Sequence, residues 1–382
     1  MRVNTFLLVL AAATPLAAQL EESVVWAKGE GGLATHHVLG LTVTRGGAIL
    51  AFTEGRIEAG DAGPHHLLCK RSTDGGRTWS GDIFIERSTQ GECWANPTAL
   101  LDRTTGRVFI FYVLNEGTKD QNWTRVFYRT SGDEGRSWSE RTELTDLFRE
   151  NPHGWTFHMP GPGHGIQLAH QQAAMKRHNG RLLVPFWHRK AVTEIPRMYG
   201  VSMLASDDKG KTWRRAAEIG PGWGANESRL AELSDGTLIW NARGTRSRDD
   251  RLREDTSEFR ILADSRDAGE TVGEPRIQRD LRFGPCDAGW LALPWSRKPY
   301  TLVQSHPGTT GVRQLLTLSA SQDGGRTWSR SRVVYDGGGG YSDLVALPGK
   351  TIGLLYRKGS LTERPNHVVF VRIPERWLTA GR

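Results

Sequence analysis

One short pattern recurs along the chain and limits the folds that the chain can adopt. It reads Ser-x-Asp-x-Gly-x-Thr/Ser-Trp, and we call it the Asp box. Four full copies, and a fifth with Val272 in place of the tryptophan, begin roughly 55 to 75 residues apart, at Ser72, Ser131, Ser206, Ser265 and Ser321. A period of this length indicates that one unit of several secondary-structure elements is repeated along the chain.

Each Asp box lies between two short apolar runs of the kind that form β-strands. Residues 66–69 precede the first copy and residues 82–85 follow it. Aspartate and glycine favour a tight turn, and the carboxylate can accept hydrogen bonds from nearby amides. The box is therefore predicted to be a hairpin turn whose tryptophan covers the edge of the core. Two further strands are predicted before each such hairpin, at residues 39–43 and 48–52 in the first unit.

Four antiparallel strands repeated six times predict an all-β fold, a six-bladed β-propeller with Asp-box turns between strands 3 and 4 of most blades. The sixth unit lacks a box, and residues 24–26 are predicted to complete its sheet. Radial closure would protect the sheet edges. The 45 glycines and 17 prolines suit many turns, while 14 tryptophans and 12 phenylalanines provide a core. A β-helix or a pair of sandwiches is the alternative, but neither explains one box in every four strands.

The beginning of the chain differs in composition from the rest. Arg2 is followed by an apolar run at residues 6–13 and by two alanines at positions 17 and 18, which is typical of a secretory signal peptide. We therefore expect a signal peptide at residues 1–19, one propeller domain at residues 20–382, and a secreted or periplasmic location with no membrane span in the mature chain. An uncleaved anchor is the alternative.

Charge and cysteine content narrow the class of partner. The net charge is +8, with basic residues scattered along the chain, which favours an anionic ligand over nucleic acid. Three cysteines allow one disulfide at most. The sequence has neither the histidine and cysteine spacing of a zinc site nor an acidic loop of the calcium type, so we expect no metal or cofactor.

In a propeller, strand 1 begins and strand 2 ends on the rim opposite the Asp boxes, near the axis. We therefore expect the polar residues at these positions to converge on one mouth. At the starts of the first strands these are His37, Trp94, Asn96, His164, Glu227, Asp287 and Tyr341. At the ends of the second strands they are Glu54, Arg56, Glu116, Trp187, His188, Arg243, His306 and Arg357, and the following loops add Asp61 and Arg313. The functional site is predicted at this mouth, and the boxes are predicted to be structural.

This collection resembles the active site of the Asp-box sialidases, or neuraminidases, which are retaining glycoside hydrolases that remove terminal sialic acid. The resemblance runs from about residue 35 to residue 356. It is most specific in four segments that occur in the expected order, one in each expected blade. These are residues 50–56 with Asp61, residues 161–168, Glu227 with Arg243, and residues 341–344.

The resemblance implies roles for individual residues. Asp61 resembles the general acid/base, Tyr341 the nucleophile and Glu227 the base that activates it. Arg243 and Arg313 resemble two of the three arginines that bind the substrate carboxylate. The remaining candidates for substrate binding are Arg56, Asn96, His164, Trp94 and Trp187; a supporting role for His164 and a packing role for either tryptophan remain open.

The chemistry of sialic acid explains these residue types. Its anomeric carbon carries a carboxylate, so a neutral phenol is a better nucleophile than a second carboxylate. The planar fork of an arginine binds a carboxylate through paired, charge-assisted hydrogen bonds. Asp61 must protonate the leaving oxygen, so we expect partial burial to raise its pKa.

Two positions depart from the family's pattern. His37 stands where the family has the first of its three arginines, and Arg357 stands where it has the glutamate that braces that arginine. We expect Arg357 to supply the third cation; decay to a weaker or inactive homologue is the alternative. The resemblance implies a secreted exo-α-sialidase acting on sialylated glycans. A related glycosidase for another 2-keto sugar acid and a non-catalytic glycan-binding propeller stay open as alternatives.

Overall fold

The computed structural model describes residues 20–117, 122–190, 199–245, 255–296, 301–359 and 366–379. The predicted signal peptide, residues 1–19, lies outside this range. Strands dominate the described residues, so the predicted all-β class is confirmed. The helices within these ranges are short: four 3₁₀ segments, Glu30–Gly32, Thr145–Phe148, Ala173–His178 and Pro221–Trp223, and one α-helix, Glu375–Thr379. None of the helices in the described ranges has the length and hydrophobicity that crossing a bilayer requires.

The strands among the described residues are numbered in chain order. They are β1 (Glu21–Trp26), β2 (Thr35–Val43), β3 (Ile49–Arg56), β4 (His65–Ser72), β5 (Ile83–Glu86), β6 (Cys93–Leu101), β7 (Val108–Gly117), β8 (Asn122–Ser131), β9 (Thr142–Glu143), β10 (Phe157–Pro160), β11 (Gly163–His164), β12 (Ile166–Gln167), β13 (Leu182–Arg189), β14 (Gly200–Ser206), β15 (Arg214–Ile219), β16 (Ser228–Glu232), β17 (Leu238–Arg243), β18 (Arg260–Ser265), β19 (Arg276–Gln278), β20 (Gly289–Ala292), β21 (Leu302–Pro307), β22 (Gln314–Ser321), β23 (Arg330–Leu347), β24 (Thr351–Lys358) and β25 (His367–Pro374).

Consecutive strands pair antiparallel in runs of four. Strands β2 to β5, β6 to β9, and β16 to β19 are such runs, and β12 to β15 form another, with β10 added beside β13. The long strand β23 belongs to two runs, because its first part pairs with β22 and its last part with β24. Strand β1 pairs with β25, which confirms that the N-terminal segment completes the last sheet.

The Asp boxes form the turns between the third and fourth strands of their runs, as predicted. In the first box, Asp74 Oδ1 accepts hydrogen bonds from the backbone amides of Arg77 at 2.9 Å and Thr78 at 3.0 Å. The hydroxyl of Ser72 donates to the same carboxylate at 2.8 Å and accepts from the amide of Gly76 at 2.8 Å. The box with Val272 in place of tryptophan keeps this pattern, since Asp267 Oδ1 accepts a hydrogen bond from the amide of Thr271 at 3.0 Å. These contacts are local, which is why the pattern can be read from the sequence.

Two of the box tryptophans pack against a run other than their own. The Trp79 ring lies 5.5 Å from that of Phe370, and the Trp213 ring lies 5.0 Å from that of Phe111. Adjacent sheets are therefore joined through the boxes.

The third run begins with a short strand and has an additional one beside it. The sequence predicts its first strand at residues 166–168, and β12 covers Ile166–Gln167, while β11, which was not predicted, pairs in parallel with β6 of the second run. Gly163 in β11 has a φ of 101°, and a Cβ atom there would lie 1.0 Å from Nη1 of Arg229. The backbone thus bends around a buried guanidinium that comes from another run.

Candidate active site

A single cavity of about 960 Å³ collects the ends of strands from several runs. Ten of the twelve candidate site residues line it: His37, Arg56, Asp61, Asn96, Trp187, Glu227, Arg243, Arg313, Tyr341 and Arg357. Its volume lies within the range of sites for small ligands. The predicted convergence on one mouth is therefore observed for these ten residues and for Glu54. Asp287, Glu116, His188 and His306, which were expected at the same mouth, do not line the cavity.

A phenol, a carboxylate and a guanidinium meet at the centre of this cavity. The Tyr341 hydroxyl donates a hydrogen bond to Glu227 Oε1, and Arg243 Nη1 donates to Glu227 Oε2 at 2.7 Å. Arg243 Nη1 also lies 3.4 Å from the Tyr341 oxygen. Tyr341 and Glu227 are 6 % and 5 % exposed, so the pair is shielded from solvent while it borders the cavity.

Burial, followed by the negative charge of Glu227, raises the pKa of Tyr341 well above its ordinary value. Burial by itself lowers the pKa of Arg243, but the attractions of Glu227 and Tyr341 and the hydrogen bond to Glu227 together outweigh it, so the pKa is raised. The resting pair is thus a neutral phenol that donates to a carboxylate, beside a guanidinium that stays charged. This arrangement can transfer the phenolic proton to Glu227 when the oxygen forms a bond.

Asp61 lies at the edge of the cavity, on the loop between β3 and β4. Its Oδ1 accepts a hydrogen bond of 2.6 Å from Arg56 Nη1, and its side chain is 93 % exposed. The expectation that Asp61 is partly buried is therefore wrong, because the loop that carries it extends into solvent. Arg56 is itself bound by Glu54, whose Oε2 accepts from Arg56 Nε at 2.8 Å. Glu54 Oε1 also accepts from the backbone amide of Asn96 at 2.9 Å, which links the first two runs.

A further cation, Arg313, and the imidazole of His37 border the ring of Tyr341. The guanidinium of Arg313 lies 5.3 Å from the ring centroid and donates to the carbonyl oxygen of Pro285, at 2.9 Å from Nη2. The imidazole of His37 lies 4.4 Å from the same ring, edge to face, and its Nδ1 is 3.4 Å from Arg357 Nη1. The two positions that depart from the family's pattern are therefore in contact with each other.

Trp94 does not line the cavity. Its side chain is 4 % exposed and packs against the rings of Tyr112 and Phe127 at 5.9 and 6.0 Å. The structure therefore places Trp94 in the core between sheets, since the strand turns its side chain away from the mouth. Trp187, the other tryptophan proposed to bind substrate, does border the cavity.

His164 also lies outside the cavity. Its Nδ1 is 2.9 Å from Oδ1 of Asp343, a carboxylate that also accepts from Arg229 Nη1 at 3.0 Å. Arg229 Nη2 donates in addition to Asp287 and to the carbonyl oxygen of Ser342. His164 thus belongs to a buried ionic network beneath Tyr341, the role of structural support that the sequence had left open.

The structure adds cavity residues that the sequence analysis missed. Phe157 and Met159 of β10, with Arg189 and Tyr199, form an apolar and cationic side of the cavity, where the Arg189 guanidinium lies 3.8 Å from the Phe157 ring centroid. Strand β10 was not predicted because it is an additional strand outside the repeat of four. The only signal was the aromatic and apolar composition of residues 155–159 just before the segment 161–168.

The remaining expectations concern a disulfide and a metal site. Cys69, Cys93 and Cys286 are buried free thiols. In the part of the chain that the structure describes, no group of three or more histidine, cysteine, aspartate or glutamate side chains is arranged to hold a metal ion.

Comparison with known proteins agrees with this geometry. The BNR repeat-like domain family matches residues 47–354. The chain belongs to the BNR-repeat sialidase family. A sialidase of Micromonospora viridifaciens is 33 % identical over 352 residues, covering 87 % of this chain and 51 % of that protein. A sialidase of Bacteroides fragilis is 26 % identical over 361 residues, covering 86 % of this chain and 61 % of that protein. The chain thus spans only about half to three fifths of these BNR-repeat relatives.

Solved structures of proteins named as sialidases share the fold. A Hadza microbial sialidase is 24 % identical with a TM-score of 0.76, covering 94 % of this chain and 69 % of that chain. The intramolecular trans-sialidase from Ruminococcus gnavus is 17 % identical with a TM-score of 0.76, covering 94 % of this chain and 99 % of that chain. These likenesses support the β-propeller predicted from the repeat.

Proposed function

We propose that this protein is a retaining exo-α-sialidase that hydrolyses terminal sialic acid from glycoconjugates. The observation that carries the proposal is the hydrogen bond from the buried Tyr341 hydroxyl to Glu227, within a cavity that also holds Arg243, Arg313 and Asp61. A tyrosine nucleophile relayed through glutamate is the sialidase exception among retaining glycosidases. The named relatives are sialidases, which agrees with this choice of chemistry.

In the proposed first step, the Tyr341 oxygen attacks the anomeric carbon and its proton passes to Glu227. The glycosidic bond breaks, and the leaving oxygen takes the proton of Asp61. In the second step, a water molecule gives a proton to Asp61 and attacks the same carbon, while the Tyr341 oxygen leaves and recovers its proton from Glu227. Two inversions retain the anomeric configuration.

The position of Asp61 fits a role in both steps. Its exposure lets water and the leaving group reach it, and Arg56 Nη1, at 2.6 Å, fixes the orientation of the carboxylate. In the bound complex, the aglycone would cover Asp61 and supply the desolvation that raises the pKa of an acid. Arg56 is accordingly proposed to position Asp61.

We further propose that the propeller has six blades. A second cavity, of about 260 Å³, is lined by one first strand from each of six runs, through Thr42, Leu101, Ile166, Leu230, Leu291 and Val345. Strands arranged around a common axis would meet in this way. The composition of residues 1–19 supports a secreted or periplasmic protein.

The test is hydrolysis of a fluorogenic α-sialoside by the wild-type protein and by Tyr341→Phe and Asp61→Ala. We expect turnover in the wild type, a loss of about 10²-fold or more in Asp61→Ala, and a larger loss in Tyr341→Phe. Proton NMR should detect the α-anomer of the free sugar as the first product.

Tyr112→Phe is the matched control, because the Tyr112 hydroxyl donates to Glu86 at 2.5 Å in a buried pair that lies outside the cavity. Its activity should equal that of the wild type. Tight binding of sialosides without hydrolysis would refute the enzymatic proposal and favour a glycan-binding propeller. Hydrolysis confined to a different 2-keto sugar acid would favour the related glycosidase.

A further inference from the structure

We propose that Arg357, positioned by His37, is the third cation that binds the carboxylate of the substrate, in place of an arginine at position 37. This inference rests on the proposed function, since it concerns the same cavity. It identifies the residues that select substrates with a carboxylate on the reacting carbon.

The location of Arg357 supports this role. Arg357 lies near the end of β24 and His37 near the start of β2, and both line the cavity that contains Tyr341. Arg357 is 5 % exposed, so its guanidinium is withdrawn from bulk water. The imidazole of His37 contacts both residues: its Nδ1 lies 3.4 Å from Arg357 Nη1, and its ring centroid lies 4.4 Å from that of Tyr341. Arg357 thus borders the pocket of the reacting carbon on the side of His37.

The contact between the two residues has a defined direction. A guanidinium carries donors only, so Nδ1 of His37 must accept the hydrogen bond and cannot carry a proton there. His37 therefore orients Arg357 as a neutral acceptor, whereas the family's pattern has an arginine braced by a carboxylate.

The backbone next to His37 is shaped for this contact. The pairing of β2 with β3 is irregular between His37 and Leu39, and Val38 between them has a φ of 53°. A β-branched residue with this φ is a steric outlier, and such outliers cluster at functional sites. The bulge places Val38 in a buried cluster with Tyr341 and leaves the imidazole edge-on to the tyrosine ring.

The other arginines of the cavity divide into two classes. Arg56 is bound by Glu54 and Asp61, so its charge acts on the acid/base loop. Arg243 and Arg313 border Tyr341: Arg243 lies beside its hydroxyl while also donating to Glu227, and Arg313 lies over its ring. Arg357 is a further guanidinium near Tyr341, and it reaches the surroundings of that residue through its contact with His37. Three cations from three different runs then surround the position of the substrate carboxylate.

The experiment measures binding of two ligands by calorimetry: a 2,3-didehydro sialic acid inhibitor and its methyl ester, which lacks the negative charge. In Arg357→Ala and Arg357→Gln, affinity for the acid should fall about 10- to 100-fold, as expected for a charge-assisted hydrogen bond, while affinity for the ester changes less than about threefold. A purely structural role of Arg357 would reduce binding of both ligands alike.

Arg189→Ala is the matched control, because it removes a cation from the same cavity at the side of Phe157. It should alter the ratio of acid to ester affinity much less than Arg357→Ala does. An unchanged ratio in both Arg357 variants would overturn the proposal.

The exchange variant provides a second test. Arg357→Glu alone replaces the cation with a negative charge that opposes the ligand, so it should weaken acid binding. His37→Arg combined with Arg357→Glu restores the family's pair and should recover acid binding toward that of the wild type. If the double variant binds acid no better than Arg357→Glu alone, the two residues do not form this unit and the proposal fails.

Failure of the proposed function has a different signature. If the wild type prefers acid to ester through Arg357 but hydrolyses no sialoside, the carboxylate site stands and the enzymatic proposal falls. If it hydrolyses sialosides and Arg357→Ala keeps the wild-type ratio, the enzyme stands and this inference falls.

Discussion

Gly163→Ala tests the buried network that underlies the candidate site. Gly163 has a φ of 101°, and an added Cβ would lie 1.0 Å from Nη1 of Arg229. Arg229 is 1 % exposed and binds Asp287 and Asp343, which are both fully buried. The alanine would therefore strain the backbone and displace the guanidinium from its carboxylates.

The two effects have different magnitudes. An alanine in left-handed backbone costs about 1–2 kcal/mol. Separating a buried ion pair costs about 3–5 kcal/mol, because a charge is left without its partner away from water. We expect Gly163→Ala to lower the free energy of unfolding by about 4–7 kcal/mol. Because Arg229 also binds the carbonyl oxygen of Ser342, next to Tyr341, sialoside turnover should fall as well.

Gly180→Ala separates strain from collision. Gly180 has a φ of 99°, and a Cβ built there meets no atom within 4 Å. Urea titrations should show a loss of about 1–2 kcal/mol for Gly180→Ala and a loss larger by about 3–5 kcal/mol for Gly163→Ala. Equal losses in the two variants would refute the reasoning, because Arg229 would not then occupy the space beside Gly163.

Three other outcomes are expected. Hydrogen bonds from the Thr212 hydroxyl and amide lower the pKa of Asp208 to about 2, so the stability that the ionised carboxylate provides at neutral pH is lost as the pH falls from about 4 through 2. Asp208→Asn should flatten this part of an acid titration, and an unchanged acid profile would contradict this expectation. Trp213→Ala should cost about 3–5 kcal/mol in a urea titration because the indole packs against Phe111, and Trp213→Val, which copies the box with Val272, should cost less. The buried thiols should resist a thiol reagent in the native protein, and three per chain should react in denaturant; fast native labelling would contradict their burial.

Candidate site residues differ in how well the sequence places them. Tyr341, Glu227 and Arg243 were chosen because each flanks the end of a predicted strand within a segment that resembles a known family, and all three line the cavity. Trp94 stands at a similar position, yet its ring turns into the core. A strand end fixes which rim a residue is near, but the direction of a side chain depends on neighbouring sheets.

The buried ionic network of Arg229 also could not be predicted from the sequence. Arg229 was not a candidate, because an arginine inside an otherwise apolar strand gives no sign of its partners. Those partners, Asp287 and Asp343, lie 58 and 114 residues away in the chain. The exposure of Asp61 was likewise missed, since solvent access is set by how far a loop extends from the folded sheets.

By itself, the sequence determined the repeat of four strands, the turns at the Asp boxes and the residue types available for chemistry. These depend on contacts within a few residues, such as those of Asp74 with Arg77 and Thr78. Only the tertiary structure decided that His37 contacts Arg357, 320 residues further along the chain, and that Arg229 lies beneath Tyr341. Both contacts join separate sheets, so they depend on how those sheets pack against each other rather than on any local pattern.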